Sequence, residues 1–135
     1  MQTSYEIATY ISTLLNKQNE LTVKYTPQKI MNSRTLYIWL YGDTGIDGVV
    51  GLEKDNYLMT RVKHLSVQPN LRRKGIGEKL LRHVLSIIDT KFAYSTVKEN
   101  NVASLSLCQK LGFKIVAKYI TDSGTVFLLV KEMNA

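Results

Sequence analysis

The 135-residue chain has a single cysteine, Cys108, so no disulfide can form within it. That usage fits a reducing compartment. No apolar run approaches the roughly 18 residues a membrane span needs. The opening MQTSYEIATYISTLL carries Glu6 and several hydroxyls where a secretory signal would have a basic start and a solid apolar run. A cytoplasmic protein with no membrane partner is expected. Repeats, low-complexity tracts and linkers are all missing, and the length suits one domain spanning residues 1–135. Two familiar phosphate motifs are absent as well. Nothing matches GxxxxGK[ST], and the GxGxxG fingerprint would need glycine where Leu80 stands. No metal is expected.

What the chain does have is positive charge. Eighteen Lys and Arg stand against eleven Asp and Glu, a formal net charge of +7. This favours anionic partners such as phosphates, nucleic acid or acidic substrates, or it is a basic surface and nothing more. Nucleic acid is disfavoured, because the Lys and Arg are spread along the whole chain without an aromatic ladder beside them.

Periodicity predicts the elements. Ile7, Ala8, Ile11, Leu14 and Leu15 share one face of a helix from Ser4 to about Lys17, with Thr3 and Glu6 at capping-box spacing. RTLYIWLYG (34–42) and VVGLEK (49–54) read as a β-hairpin around GDTGIDG. YLMTRVKHLSV (57–67) is a longer strand that stops before Pro69. Leu80, Leu81, Val84, Leu85 and Ile88 give the next helix a core face, opposite Lys79, Arg82, His83 and Ser86. KFAYSTV (91–97) is a strand. NNVASLSLCQKLGF is a short helix with Asn100 or Asn101 as N-cap and Gly112 at C′. KIVAKYI (114–120) and TVFLLVK (125–131) close the chain as a hairpin. The fold class is therefore mixed α/β: one sheet, with two later crossover helices and a βαβ unit from Tyr57 to the strand at Ala93.

LRRKGIGEKLL (71–81) gathers charge and glycine at a helix start. Helix N-termini present unpaired N–H groups and the positive end of a dipole, and glycine lets an anion approach them closely. Taken alone, this is equally a basic turn.

Its surroundings are more specific. HLSVQPNLRRKGIGEKLLRHVL resembles the acetyl-CoA-binding segment of the GNAT superfamily of N-acetyltransferases, with Val67, Pro69, Arg72, Gly75 and Gly77 on the family pattern. NVASLSLCQKLGF (101–113) resembles the family's second segment through Asn101, Ser104, Leu107, Leu111, Gly112 and Phe113. The resemblance covers roughly residues 34–131. It implies a GNAT-like fold, a central, mostly antiparallel twisted sheet of about six to seven strands flanked by helices. It also implies transfer of an acetyl group from acetyl-CoA to a primary amine in a ternary complex. A catalytically weak acyl-CoA sensor of the same fold is the other reading.

By that resemblance, the backbone of Leu65, Ser66 and Val67 would pair with the pantetheine arm. Arg72, Arg73, Lys74, Gly75, Ile76, Gly77 and Glu78 would hold the pyrophosphate, and Asn101 would bond the arm. Cys108 stands where many relatives place a Tyr beside the departing thiolate; it would be a weak S–H donor or an inert packing residue. The position that carries an acid or His base in some relatives is Arg61, which stays protonated. His64 and Glu53 are the base candidates, with Glu99 behind them and Tyr94 and Tyr119 as reserve acids. Strict alternation puts His64 on the face away from Arg61 and Lys63 unless the strand bulges. Positioning of the amine without a strong base is a further route. The first helix, a loop at residues 26–32 and the closing hairpin would shape the acceptor site. The acceptor is a small-molecule or peptide amine, and the chain a monomer or homodimer.

Overall fold

The computed structural model describes residues 4–17, 24–43 and 45–133. The chain runs α1 (Ser4–Asn16), α2 (Pro27–Asn32), β1 (Leu36–Gly42), β2 (Gly45–Lys54), β3 (Met59–Val67), α3 (Ile76–Ile87), β4 (Phe92–Lys98), α4 (Val102–Lys110), β5 (Lys114–Thr121) and β6 (Gly124–Glu132). A 3₁₀ turn, Pro69–Leu71, separates β3 from α3. The six strands form one sheet in the order β1-β2-β3-β4-β6-β5. β3 and β4 are parallel, with Met59, Thr60 and Arg61 opposite Phe92, Ala93 and Tyr94. β4–β6 and β5–β6 are antiparallel. The element order predicts the single mixed sheet, and its mostly antiparallel character is what the family resemblance implies.

The chain divides into two compact units, Met1–Gly51 with His64–Leu81 and Leu52–Lys63 with Arg82–Ala135. The first is organised by α1. Ile7, Ala8, Ile11, Leu14 and Leu15 are buried together with Ile30, Tyr37, Ile46 and Val49, and Tyr25 and Trp39 pack against the cluster. Each fully buried Ile, Leu or Val side chain among them contributes about 1.5–3 kcal/mol. Thr3 lies outside the described residues. Residues 26–32, read as a loop, are instead a capped turn of helix. Thr26 Oγ1 accepts the Lys29 N–H at 3.2 Å and Pro27 opens the helix. With only Ile30 buried in six residues, α2 shows no periodicity for a sequence reading to find.

In the second unit, β4 alternates buried Ala93, Ser95 and Val97 with half-buried Phe92, Tyr94, Thr96 and Lys98. Asn101 caps α4 by accepting the Ser104 N–H at 3.3 Å. The LGF sequence closes the helix in a Schellman arrangement. Gly112, at φ 100°, donates its N–H to Gln109 O, and Phe113 donates to Cys108 O at 2.9 Å. Phe113 is itself buried, which supplies the apolar contact that accompanies this motif. β5 is an edge strand, exposed from Lys114 to Ile120.

Candidate functional site

Three pieces of the first unit converge on the start of α3. Gln68 ends β3: its N–H bonds Asp47 O at 2.8 Å, and its side-chain amide donates to Ile46 O at 3.0 Å. The 3₁₀ turn follows, closed by Leu71 N–H to Gln68 O at 2.9 Å. Then Arg73 and Gly75 take left-handed φ values of 66° and 80°. Left-handed residues in such a run turn successive N–H groups toward a common side. The helical ladder opens with Lys79 N–H on Gly75 O at 3.0 Å, and the N–H groups of Ile76, Gly77 and Glu78 precede it. Arg72, Arg73 and Lys74 are exposed around this end. A Cβ built on Gly75 meets nothing within 4 Å, so the backbone there faces open space. The arrangement suits an anionic group: a helix N-terminus, open space at Gly75, and exposed cations beside it.

The start of α3 lies close against Gly48 on β2. A Cβ there would lie 2.9 Å from Ile76 Cγ2, 3.0 Å from Leu80 Cδ1 and 3.2 Å from Ser66 O. Gly48 thus permits β2 to approach both the first turn of α3 and the end of β3. No motif in the sequence marked it.

His64 departs from strand geometry with φ 58°. The strand is irregular at this residue, so the alternation argument that set His64 opposite Arg61 and Lys63 does not hold there. Its ring is clasped from two sides. Tyr25 Oη lies 2.9 Å from Nε2, and Tyr37 Oη lies 3.1 Å from Nδ1. The Tyr25 ring meets the imidazole edge-on and the Tyr37 ring stacks on it. Sequence reasoning missed both phenols, because nothing local in the sequence marks either one as a partner of His64.

In the second unit, Glu53 accepts a hydrogen bond from Lys63 Nζ at 2.8 Å, both side chains being largely buried. The Arg61 guanidinium donates to Thr96 Oγ1 at 3.3 Å. Tyr94 donates its hydroxyl to Asp55. Burial first, then that bond and the carboxylate charge, push the Tyr94 phenol up to about 12. Tyr94 is therefore a fixed donor and a poor acid at neutral pH. Cys108 is 5% exposed, and burial pushes its thiol up to about 11. Such a thiol is a weak donor and stays protonated, which is what the packing reading of Cys108 requires. Tyr119 is exposed on β5, and His83 is exposed on α3. No group of three or more potential metal ligands occurs among the described residues.

The start of α3 carries glycines, is rimmed by exposed cations and follows β3 after one 3₁₀ turn, a geometry suited to an anionic group. The acetyltransferase (GNAT) domain model matches residues 32–115, and the chain belongs to that family. No curated protein sequence matches it. Among solved structures, Ard1 from Thermoplasma volcanium aligns over 100% of this chain and 97% of its own, at 18% identity and a TM-score of 0.82. The ribosomal-protein-S18-alanine N-acetyltransferase of Escherichia coli aligns over 100% and 92%, at 16% identity and a TM-score of 0.76. A GNAT family acetyltransferase from Elizabethkingia anophelis with acetyl-CoA bound aligns over 89% and 88%, at 18% identity and a TM-score of 0.70. At these identities the likeness establishes the fold. No helix among the described residues is long and apolar enough to cross a membrane.

Proposed function

We propose that this protein is an N-acetyltransferase that moves an acetyl group from acetyl-CoA directly to a primary amine. The observation that carries the proposal is the start of α3, where left-handed Arg73 and Gly75 precede the N–H groups of Ile76, Gly77 and Glu78. These N–H groups would hold the pyrophosphate, with Arg72, Arg73 and Lys74 beside the anionic nucleotide end. The backbone of Leu65, Ser66 and Val67 would pair with the pantetheine arm. Asn101 uses its carbonyl oxygen to cap α4, and its amide nitrogen is the end of the side chain that the pantetheine role would use.

Acyl transfer needs a neutral amine and help for the departing thiolate. We assign the base role to His64. Glu53 is the weaker candidate, since its carboxylate already holds Lys63. Cys108 is assigned to packing. The net charge of +7 opposes accumulation of a polycation, so the acceptor is proposed to be a neutral or acidic amine, free or on a peptide.

The test is release of CoA thiol from acetyl-CoA over a panel of amines: Ala- and Ser-initiated peptides, free glutamate, glucosamine and spermidine. Release above background with one of the first four supports the reading. Tight acetyl-CoA binding with no turnover over the panel would replace the enzyme by a sensor. Release with spermidine alone would overturn the acceptor class.

A further inference from the structure

We propose that Tyr25, His64 and Tyr37 form a proton relay in which Tyr25, not the imidazole, meets the attacking amine. This rests on the acetyltransferase reading above and names the path its proton takes.

Both ring nitrogens of His64 are occupied by phenol oxygens, at 2.9 Å and 3.1 Å. A neutral imidazole has one N–H and one lone-pair nitrogen, so the two phenols must play opposite parts: one donates its hydroxyl and the other accepts. Tyr37 is 8% exposed and belongs to the buried cluster, whereas Tyr25 is only partly buried against it. Tyr37 is thus the inner end and Tyr25 the outer end, and the relay requires the tautomer in which Nδ1–H is given to Tyr37 and Nε2 accepts the Tyr25 O–H. The relay presents this outer end to the amine.

The protons balance. The bound ammonium passes one proton to Tyr25 Oη as the Tyr25 proton passes to Nε2, and the neutral amine nitrogen then bonds the thioester carbonyl carbon. The C–S bond breaks, and the departing sulfur takes the surplus proton of the new amide nitrogen and leaves as the thiol. His64 is left as imidazolium, with Nδ1–H still on Tyr37. Tyr25 is neutral at the start and at the end, so no phenolate accumulates.

Two further observations indicate that the arrangement is built. His64 adopts φ 58° inside a strand, a conformation that costs a non-glycine residue of order 1–3 kcal/mol unless its surroundings hold it. The Tyr25 backbone is gripped on both sides by one side chain: Asn16 Nδ2 donates to Tyr25 O at 2.9 Å, and Tyr25 N–H donates to Asn16 Oδ1 at 2.8 Å. Asn16 is therefore a positioning residue for the outer phenol. Ionisable groups placed against the ring include these two phenols. Lys63, next along the strand, directs its ammonium to Glu53.

The experiment is a pH profile of kcat for Tyr25→Phe against the parent, with the panel amine that gives the fastest release. Acetyl-CoA affinity by calorimetry reports that the variant is folded. The relay predicts a fall of about 100-fold at neutral pH and an unchanged acetyl-CoA affinity. It also predicts that the deficit shrinks as pH approaches the amine's own pKa, where the amine is neutral unaided. Asn16→Ala should lower kcat in the same pH-dependent way and less steeply. A parent that turns over, with Tyr25→Phe equal to it at neutral pH or uniformly slower at every pH, overturns the relay and leaves the acetyltransferase reading standing. A parent that neither binds acetyl-CoA nor releases thiol overturns both.

Discussion

Gly48→Ala is a sharp probe of how the start of α3 is set. The added methyl would sit 2.9 Å from Ile76 Cγ2, 3.0 Å from Leu80 Cδ1 and 3.2 Å from Ser66 O. Carbon pairs prefer about 3.5–4.0 Å, so the nearest contact is about 0.6 Å too short. Leu80 Cδ1 is the tip of a flexible side chain and can swing aside. Ile76 Cγ2 is branched at Cβ, and Ser66 O is backbone, so neither yields without moving α3 or β3. Overpacking of this kind costs about 1–3 kcal/mol. For a chain of this size, each kcal/mol lowers the midpoint of thermal unfolding by about 4 °C. A scan of the variant should therefore show a loss of about 4–12 °C. The displaced Ile76 heads the helix that would seat the pyrophosphate, so acetyl-CoA should also stabilise the variant less than the parent. Ile76→Leu, which removes the β-branch, should restore part of both losses in the double variant. A Gly48→Ala protein with unchanged midpoint and unchanged stabilisation by acetyl-CoA would refute this account of the contact.

Two more outcomes are expected. Cys108→Ala should leave kcat within about two-fold, where loss of a general acid would cost about 100-fold or more; the native thiol should resist alkylation at mildly alkaline pH and react once the chain is unfolded. Tyr94, raised from 10.0 to about 12, should ionise late in an absorbance titration, and Tyr94→Phe should delete that late step. Because the folded value lies above the unfolded one, the stability linked to the neutral Tyr94 phenol, through its burial and then its bond to Asp55, is fully present below pH 10 and is lost as pH rises through about 12.

The elements with strong periodicity were legible in advance. α1 buries the five residues its spacing marked. α4 ends as its LGF sequence demands, because a left-handed Gly112 and a buried Phe113 are both encoded locally. The charged glycine turn before α3 was legible for the same reason. α2 was not, since a six-residue helix with one buried side chain has no period. The irregularity at His64 was also hidden: a left-handed histidine within a strand is imposed by tertiary partners, and those partners, Tyr25 and Tyr37, lie 39 and 27 residues away. Gly48 shows the same limit from the other side, being defined by what it lets approach. The glycines and cations before α3 lie in one local segment, whereas the partners of His64 come from distant ones.

The central claim is that the start of α3 holds the pyrophosphate of acetyl-CoA, and calorimetry comparing acetyl-CoA with S-acetylpantetheine tests it most directly. The two share the thioester and the arm, and only the first carries the diphosphate and nucleotide. Three N–H donors at about 1 kcal/mol or more each predict that acetyl-CoA binds at least about 100-fold more tightly, with the difference shrinking at high salt. Equal affinity for the two compounds would contradict the account.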